Sequence, residues 1–255
     1  MALIRVITPL CSMSDEMAKD TMNEVNCLSD IQFSFDNVVL GVGPASIENS
    51  FDEAYTAPLV AIKAMEAEQD GCQAVIIDCM GDPGMHAARE AVSIPVIGPG
   101  ECAMHMAATL GHQFSCVSIL DSVRPIFFDH ARIYGIGHKL ASVRTIGVGV
   151  TELEKYGAEQ INAMLLEQSL KCIQEDHADS IILGCTGFVG VAEWLQQELE
   201  KQGFAVPVIN PLPTAALQAI AMIRGKIRHS KRAYKKPNLQ KYEGVKFPSP
   251  DTTKR

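Results

Sequence analysis

Apolar and polar positions fall into blocks along this chain, and the blocks predict strands and helices in alternation. Apolar runs near 3–8, 34–41, 74–78 and 94–97 have the length and β-branched content of strands buried on both faces. Residues near 13–27, 55–69 and 83–91 carry the helical period between them. Ser12, with Asp15 three positions on, predicts a capping box for the first of these helices. Pro83 suits the first turn of the third. A second set follows, with strands at Phe114 to Leu120, Arg144 to Val148 and Ser180 to Leu183. Its helices fall near 125–134 and 152–177, the latter long and amphipathic, and a last helix lies near 213–224. Repeated βα units imply a mostly parallel sheet in each half. The expected fold is α/β, two similar Rossmann-like lobes with the active site in the cleft between them.

Two of these blocks say the same thing twice. Residues 74–97 run Ala-Val-Ile-Ile-Asp-Cys79-Met-Gly-Asp-Pro-Gly and close on Pro95-Val96-Ile97. Residues 180–209 run Ser-Ile-Ile-Leu-Gly-Cys185-Thr-Gly and close on Pro207-Val208-Ile209. Each cysteine therefore stands at the carboxyl end of a buried strand and before a helix. Open α/β sheets bind ligands there, and a helix amino terminus is expected to lower a thiol pKa. Two such units facing one cleft would set a thiolate against a thiol, able to take a proton from one face of a carbon and return one to the other. Backbone amides in the turns Met80-Gly81 and Thr186-Gly187 could bind a developing enolate oxygen.

Composition narrows the class without naming a reaction. With 255 residues, 47% of them hydrophobic, the chain can bury a sizeable core. No run approaches the ~20 apolar residues of a membrane span, and Met1 to Leu10 lacks a signal-peptide pattern. Eight cysteines form no Cys-x-x-Cys pair, so reduced thiols in the cytoplasm are expected. Residues 225–255 hold ten Lys or Arg against Glu243 and Asp251, a net +8, which leaves −16 on residues 1–224. The acidic body argues against nucleic acid. The basic tail, with Pro237, Pro248 and Pro250, reads as a loosely ordered, solvated extension.

Three segments in order and spacing, Gly43-Pro44-Ala45-Ser46-Ile47-Glu48, then Cys79 with Gly81-Asp82-Pro83-Gly84 and Ala87-Ala88-Arg89-Glu90, and Leu183-Gly184-Cys185-Thr186-Gly187, give the chain its likeness. In these it resembles the hydantoin racemase branch of the aspartate/glutamate racemase superfamily, collinearly over roughly residues 3–223. The resemblance implies that the last helix returns to the first lobe, so that 1–97 with 208–224 form one lobe, 98–207 the other and 225–255 a tail. It implies cofactor-independent racemisation of 5-substituted hydantoins, with Cys79 and Cys185 as the two acid/base residues and no metal. The carbon between the ring carbonyl and nitrogen is an unusually strong carbon acid, so a base of modest strength suffices. The small-molecule substrate is expected to meet Thr8, Leu10, Pro44, Ala45, Ser46, Met80, Gly81, Ser118, Thr186 and Gly187, with Ala45 and Ser46 presenting backbone amides. A homo-oligomer is expected; nucleic acid and membrane are not.

Departures from the family bear on substrate. Ile7-Thr8-Pro9-Leu10 stands where relatives have Ile-Asn-Pro-Asn, Met80 where Phe is common, and Thr186 where hydantoin relatives often have Ala and amino-acid racemases have Thr. Allantoin, or a free amino acid of the aspartate/glutamate type, is thus an alternative substrate, although no cationic cluster is evident for a free carboxylate. A noncatalytic sensor would be free to lose either cysteine, and the decarboxylase branch typically keeps one; both are here. A lone strand-end cysteine is more often a small buried hydrophobe, and the repeat reverses that reading. Cys11, Cys27, Cys72, Cys102, Cys116 and Cys172 are assigned to packing, with Cys11 an exception at the pocket rim. Asp82 could orient the turn, tune Cys79 or cap the helix beside Pro83. Glu101 and His105 have metal-binding spacing but read as a surface pair without a third ligand. Gly41-Val42-Gly43 lacks the rest of a dinucleotide fingerprint.

Overall fold

Each predicted unit closes into a four-stranded parallel sheet, and both sheets have the same strand order. The computed structural model describes residues 1–243, 247 and 248, the side chain of Glu154 aside. The first sheet runs β2 (Phe33–Val39), β1 (Ala2–Thr8), β3 (Ala74–Ile77), β4 (Val96–Ile97); the second runs β6 (Leu140–Thr145), β5 (Phe114–Ser118), β7 (Ser180–Leu183), β8 (Val208–Ile209). All pairings are parallel. β3 and β7 are buried along their whole length, as continuous Ala-Val-Ile-Ile and Ser-Ile-Ile-Leu require.

Alternation along β1 divides the first core. Ile7, with Val75 and Ile77, packs against α2 (Ser50–Gln69) and α3 (Met85–Ala91). Ile4 and Val6, with Ile76, face Val25 of α1 (Asp15–Asn26) and Leu212, Ala215, Ala216 and Ala219 of α8 (Pro211–Arg224). Full burial of Leu212 alone contributes about 2 kcal/mol. The helices after the edge strands cross over. α4 (Pro99–Leu110) leaves the first sheet yet sends Ala103, Met104 and Ala107 into the second core, whereas α8 leaves the second sheet and covers the first. The second lobe is completed by α5 (Arg124–Ile133), α6 (Ala158–Gln174) and α7 (Val191–Lys201). Two crossed helices hold the lobes face to face, which fixes the cleft.

Several local expectations are corrected. α1 is capped by Ser14, whose side chain accepts from the Met17 N–H, and not by Ser12. Pro83 precedes α3, which begins at Met85 after Gly84. Gly84 has φ 71, and a Cβ there would lie 2.3 Å from the Ala57 carbonyl oxygen, so only glycine lets α3 start against α2. The long helix expected near 152–177 is a 3-10 turn over Val150–Lys155 followed by α6.

The tail is not a free extension over its first part. Lys231 Nζ donates to the Arg89 carbonyl at 2.6 Å and to that of Val92, at the carboxyl end of α3 where a cation is favoured. His229 Nε2 accepts from Val96 N–H at 2.9 Å, and Arg89 donates to Tyr234 Oη at 3.3 Å. The short edge strand β4 and the last carbonyls of α3 supply unpaired backbone groups, and the tail fills them. Residues 244–246 and 249–255, with Pro250 and Asp251, lie outside the described residues. No helix among the described residues is long and apolar enough to cross a membrane.

Candidate active site

The register of the two sheets brings the cysteines to matching places. β1 pairs with β3 up to Ile7 and Ile77, so Thr8 flanks Asp78 and Cys79 follows; β5 pairs with β7 up to Val117 and Leu183, so Ser118 flanks Gly184 and Cys185 follows. In each half a glycine stands two residues after the cysteine, Gly81 or Gly187, and a left-handed glycine five after it, Gly84 or Gly190, opens the next helix. One cavity of about 80 Å³ between the lobes is walled by both cysteines. Of the expected substrate contacts, Thr8, Leu10, Ser46, Met80, Gly81, Ser118, Thr186 and Gly187 line it.

Pro44 and Ala45 do not. The Pro44 carbonyl accepts from Cys11 N–H at 2.9 Å, its ring lies in an outer depression beside Phe51 and Tyr55, and Ala45 is exposed to solvent. The glycine-proline turn faces outward because it ties down the loop after β1. Of that segment Ser46 and Ile47 reach the cavity, and the Ser46 hydroxyl donates to Glu48 Oε1 at 2.9 Å. The same carboxylate oxygen accepts from Val150 N–H at 3.2 Å and so bridges the lobes. Cys11 is not on the wall.

The thiols depart from expectation. Burial pushes Cys79 well above the usual thiol range; the Gly81 N–H opposes this, while Cys185, Glu53 and Asp82 add to it. Burial likewise pushes Cys185 up to about 12, opposed by the Gly187 N–H at 3.3 Å from Sγ and reinforced by Asp78 and Glu48. Burial outweighs the expected lowering by a helix terminus, and α3 and α7 begin only six residues beyond each cysteine. Each turn amide stands in for the helix end.

Sequence reading also passed over several residues of the site. Asp78, 7% exposed, lines the cavity: Thr8 Oγ1 donates to its Oδ2 at 3.0 Å, and its Oδ1 has no hydrogen-bond partner among the described residues. Burial raises its pKa, against the hydroxyls of Thr186 and Thr8. A carboxylate interrupting an apolar strand run was the signal. Met13 and Met17, four apart on the approach to and in α1, join Ile119, Val123, Ile126 and Phe127 to make most of the remaining wall apolar, with the Thr21 side chain a polar exception. Behind the Cys79 turn, Asp82 accepts from the N–H groups of Gly100 and Glu101 at 2.9 and 2.7 Å and from Tyr134 Oη–H at 2.7 Å. It therefore caps α4 rather than α3, and burial still pushes it up to about 7. Glu53 lies 3.4 Å from His130 Nε2 across the lobe boundary, and burial beside Asp82 pushes it up to about 7 as well. Glu101, weighed as half of a metal pair with His105, is bound by Arg89. Among the described residues no group of three or more His, Cys, Asp or Glu side chains could hold a metal.

The family described as Asp/Glu/Hydantoin racemase matches residues 28–219. The chain belongs to that family. Curated relatives include the hydantoin racemase of Pseudomonas sp. (strain NS671), 34% identical over 205 residues that make up 80% of each protein. The hydantoin racemase of Paenarthrobacter aurescens is 37% identical over 203 residues, 78% of this chain and 83% of that one. Among solved structures, allantoin racemase from Klebsiella pneumoniae superposes with a TM-score of 0.85 at 29% identity, covering 93% of this chain and 94% of that one. Allantoin racemase from Pseudomonas fluorescens gives 0.87 at 27% identity, covering 95% and 100%. This racemase thus has the two parallel-sheet lobes of its relatives and acts as an isomerase on a small molecule.

Proposed function

We propose that this racemase inverts the stereocentre of 5-substituted hydantoins by two-base proton transfer between Cys79 and Cys185, without a cofactor. One observation carries the reading: equivalent strand ends of the two lobes deliver one cysteine each to a single inter-lobe cavity. A thiolate takes the proton from C5, the ring carbonyl receives the electron pair as an enolate, and the opposed thiol returns a proton to the other face. The sulfurs exchange roles: the pair carries one proton before and after turnover and two while the enolate exists. The Gly81 and Gly187 amides favour whichever thiolate forms. Because the resting thiols are raised, less thiolate is present at neutral pH and the rate climbs on the alkaline side. A mechanism resting on reduced thiols suits a reducing cytoplasm, and all eight cysteines are free.

The apolar wall supports hydantoins with aliphatic or thioether substituents. A ureido group placed against Met13, Met17, Ile126 and Phe127 would lose its hydrogen bonds, at a cost of ~1–3 kcal/mol. Allantoin is a second reading, favoured by the fold likeness to two allantoin racemases. Parallel polarimetry on a methionine-type hydantoin, allantoin and free aspartate or glutamate separates the readings. The highest kcat/KM is expected for the thioether hydantoin; a preference for allantoin moves the assignment to that ureide, and a preference for a free amino acid overturns the hydantoin reading.

A further inference from the structure

Asp78 is hydrogen-bonded through Oδ2, has the Thr186 hydroxyl of the facing lobe beside its carboxyl, and leaves Oδ1 without a hydrogen bond among the described residues. Asn37 Nδ2 donates to Thr8 Oγ1 at 2.8 Å, and Thr8 in turn donates its single hydroxyl hydrogen to Asp78 Oδ2 at 3.0 Å. This relay from β2 through β1 to the end of β3 fixes the carboxyl plane. Oδ1 is buried without a partner among the described residues, in a residue that walls the cavity next to Cys79. A buried acceptor left empty carries a desolvation cost that a bound donor relieves. Asp78, Cys79 and Cys185 of the facing lobe wall the same cavity, so the carboxyl lies at the space that both thiols reach. The second lobe cannot match it. The equivalent position is Gly184, where a Cβ would lie 2.6 Å from Ser118 Cβ.

Resting on the hydantoin reading above, we propose that Asp78 binds substrate directly, its free Oδ1 accepting the ring N–H that adjoins the acidic carbon. The cavity then selects neutral cyclic amides and ureides that present such a donor, and it repels a substrate that places a carboxylate there. Asp78 orients the ring so that C5 lies between the thiols, and it moves no proton itself.

Racemisation of one apolar 5-substituted hydantoin, its N1-methyl analogue and its N3-methyl analogue, by wild type and Asp78→Ala, tests this. In wild type, N1-methylation is expected to lower kcat/KM about 10- to 100-fold. In Asp78→Ala the parent compound loses a similar factor and N1-methylation costs only ~2-fold more, since the two changes remove the same bond. N3-methylation affects both enzymes alike. Asp78→Asn keeps the shape and a weaker acceptor; should Asp78→Ala fail to fold by circular dichroism, an intermediate N1-methyl penalty in Asp78→Asn supports the same bond. An N1-methyl penalty as large in the variants as in wild type overturns the assignment of Asp78 while leaving hydantoin racemisation intact. A wild type inert toward the parent compound overturns the hydantoin reading itself, and the contact with it.

Discussion

The two halves of this molecule share strand order, register and turn spacing, yet the residues directly before and after their cysteines differ. Asp78 precedes Cys79 where Gly184 precedes Cys185; Met80 follows the first where Thr186 follows the second; Asp82 stands three residues on where the second half has Phe188. Asp82 is spent on capping α4 and binding Tyr134, so the Cys79 turn is locked to the neighbouring lobe by polar bonds among buried acids. Phe188, 3% exposed, is packed into the second core, so the Cys185 turn is held by apolar contact. Racemisation asks for two equivalent bases but an asymmetric substrate has two unlike faces. A duplicated backbone supplies the first, and divergent side chains on it answer the second.

The largest effect that could break this equivalence is covalent. Alkylation should abolish activity while exhaustive chelation leaves it unchanged, and substrate should protect Cys79 and Cys185 in peptide maps. Because both thiols are raised, inactivation should quicken several-fold per pH unit from 7 upward. Activity lost to a chelator and restored by a divalent metal would contradict a thiol mechanism.

Substitution at the third position sharpens the contrast between polar and apolar support. Asp82→Ala strands two helix amides and a tyrosine hydroxyl, and should cost about 2–4 kcal/mol in denaturant unfolding. Phe188→Ala opens a core cavity at a similar ~3–5 kcal/mol. Only Asp82→Ala should make that loss depend on pH, because only it removes a titrating group. Equal pH dependence in the two variants would show that the Cys79 half is not electrostatically distinct.

A smaller effect isolates Glu53. Its folded pKa, about 7, lies above its ordinary 4.5, so its contribution to stability is complete below about 4.5 and is lost as pH rises through 7. Glu53→Gln should flatten the fall in stability between pH 5 and pH 8 by about 1–3 kcal/mol in guanidinium midpoints, leaving the share due to Asp82. An unchanged slope would mean that Glu53 is ionised throughout.

What was legible in the sequence is what repeats locally. Apolar runs ending in Cys79 and Cys185 announce themselves through composition, and the strands β3 and β7 follow. α4 was not foreseen, because Gly98-Pro99-Gly100 reads as a turn and its amino terminus is capped from afar by Asp82. Gly157 split the helix expected near 152–177. The docking of Lys231 and His229 depends on carbonyl and amide groups of α3 and β4 that only the fold exposes. Pro44 and Ala45 were placed at the cavity by motif, but a turn's outward side cannot be told from its inward side along a sequence. The thiol pKa values failed for the same reason: the distance to the helix could be counted, but the burial and the facing acids could not.

The most direct test of the paired cysteines is proton exchange in deuterated water, followed by NMR on each pure enantiomer of one hydantoin with Cys79→Ser and Cys185→Ser. Each variant should lose racemisation by ~10³-fold or more, with folding intact, and should retain exchange at C5 on one enantiomer only, the two variants on opposite enantiomers. Either variant racemising at a near wild-type rate, or both exchanging the same enantiomer, would contradict two-base catalysis by Cys79 and Cys185.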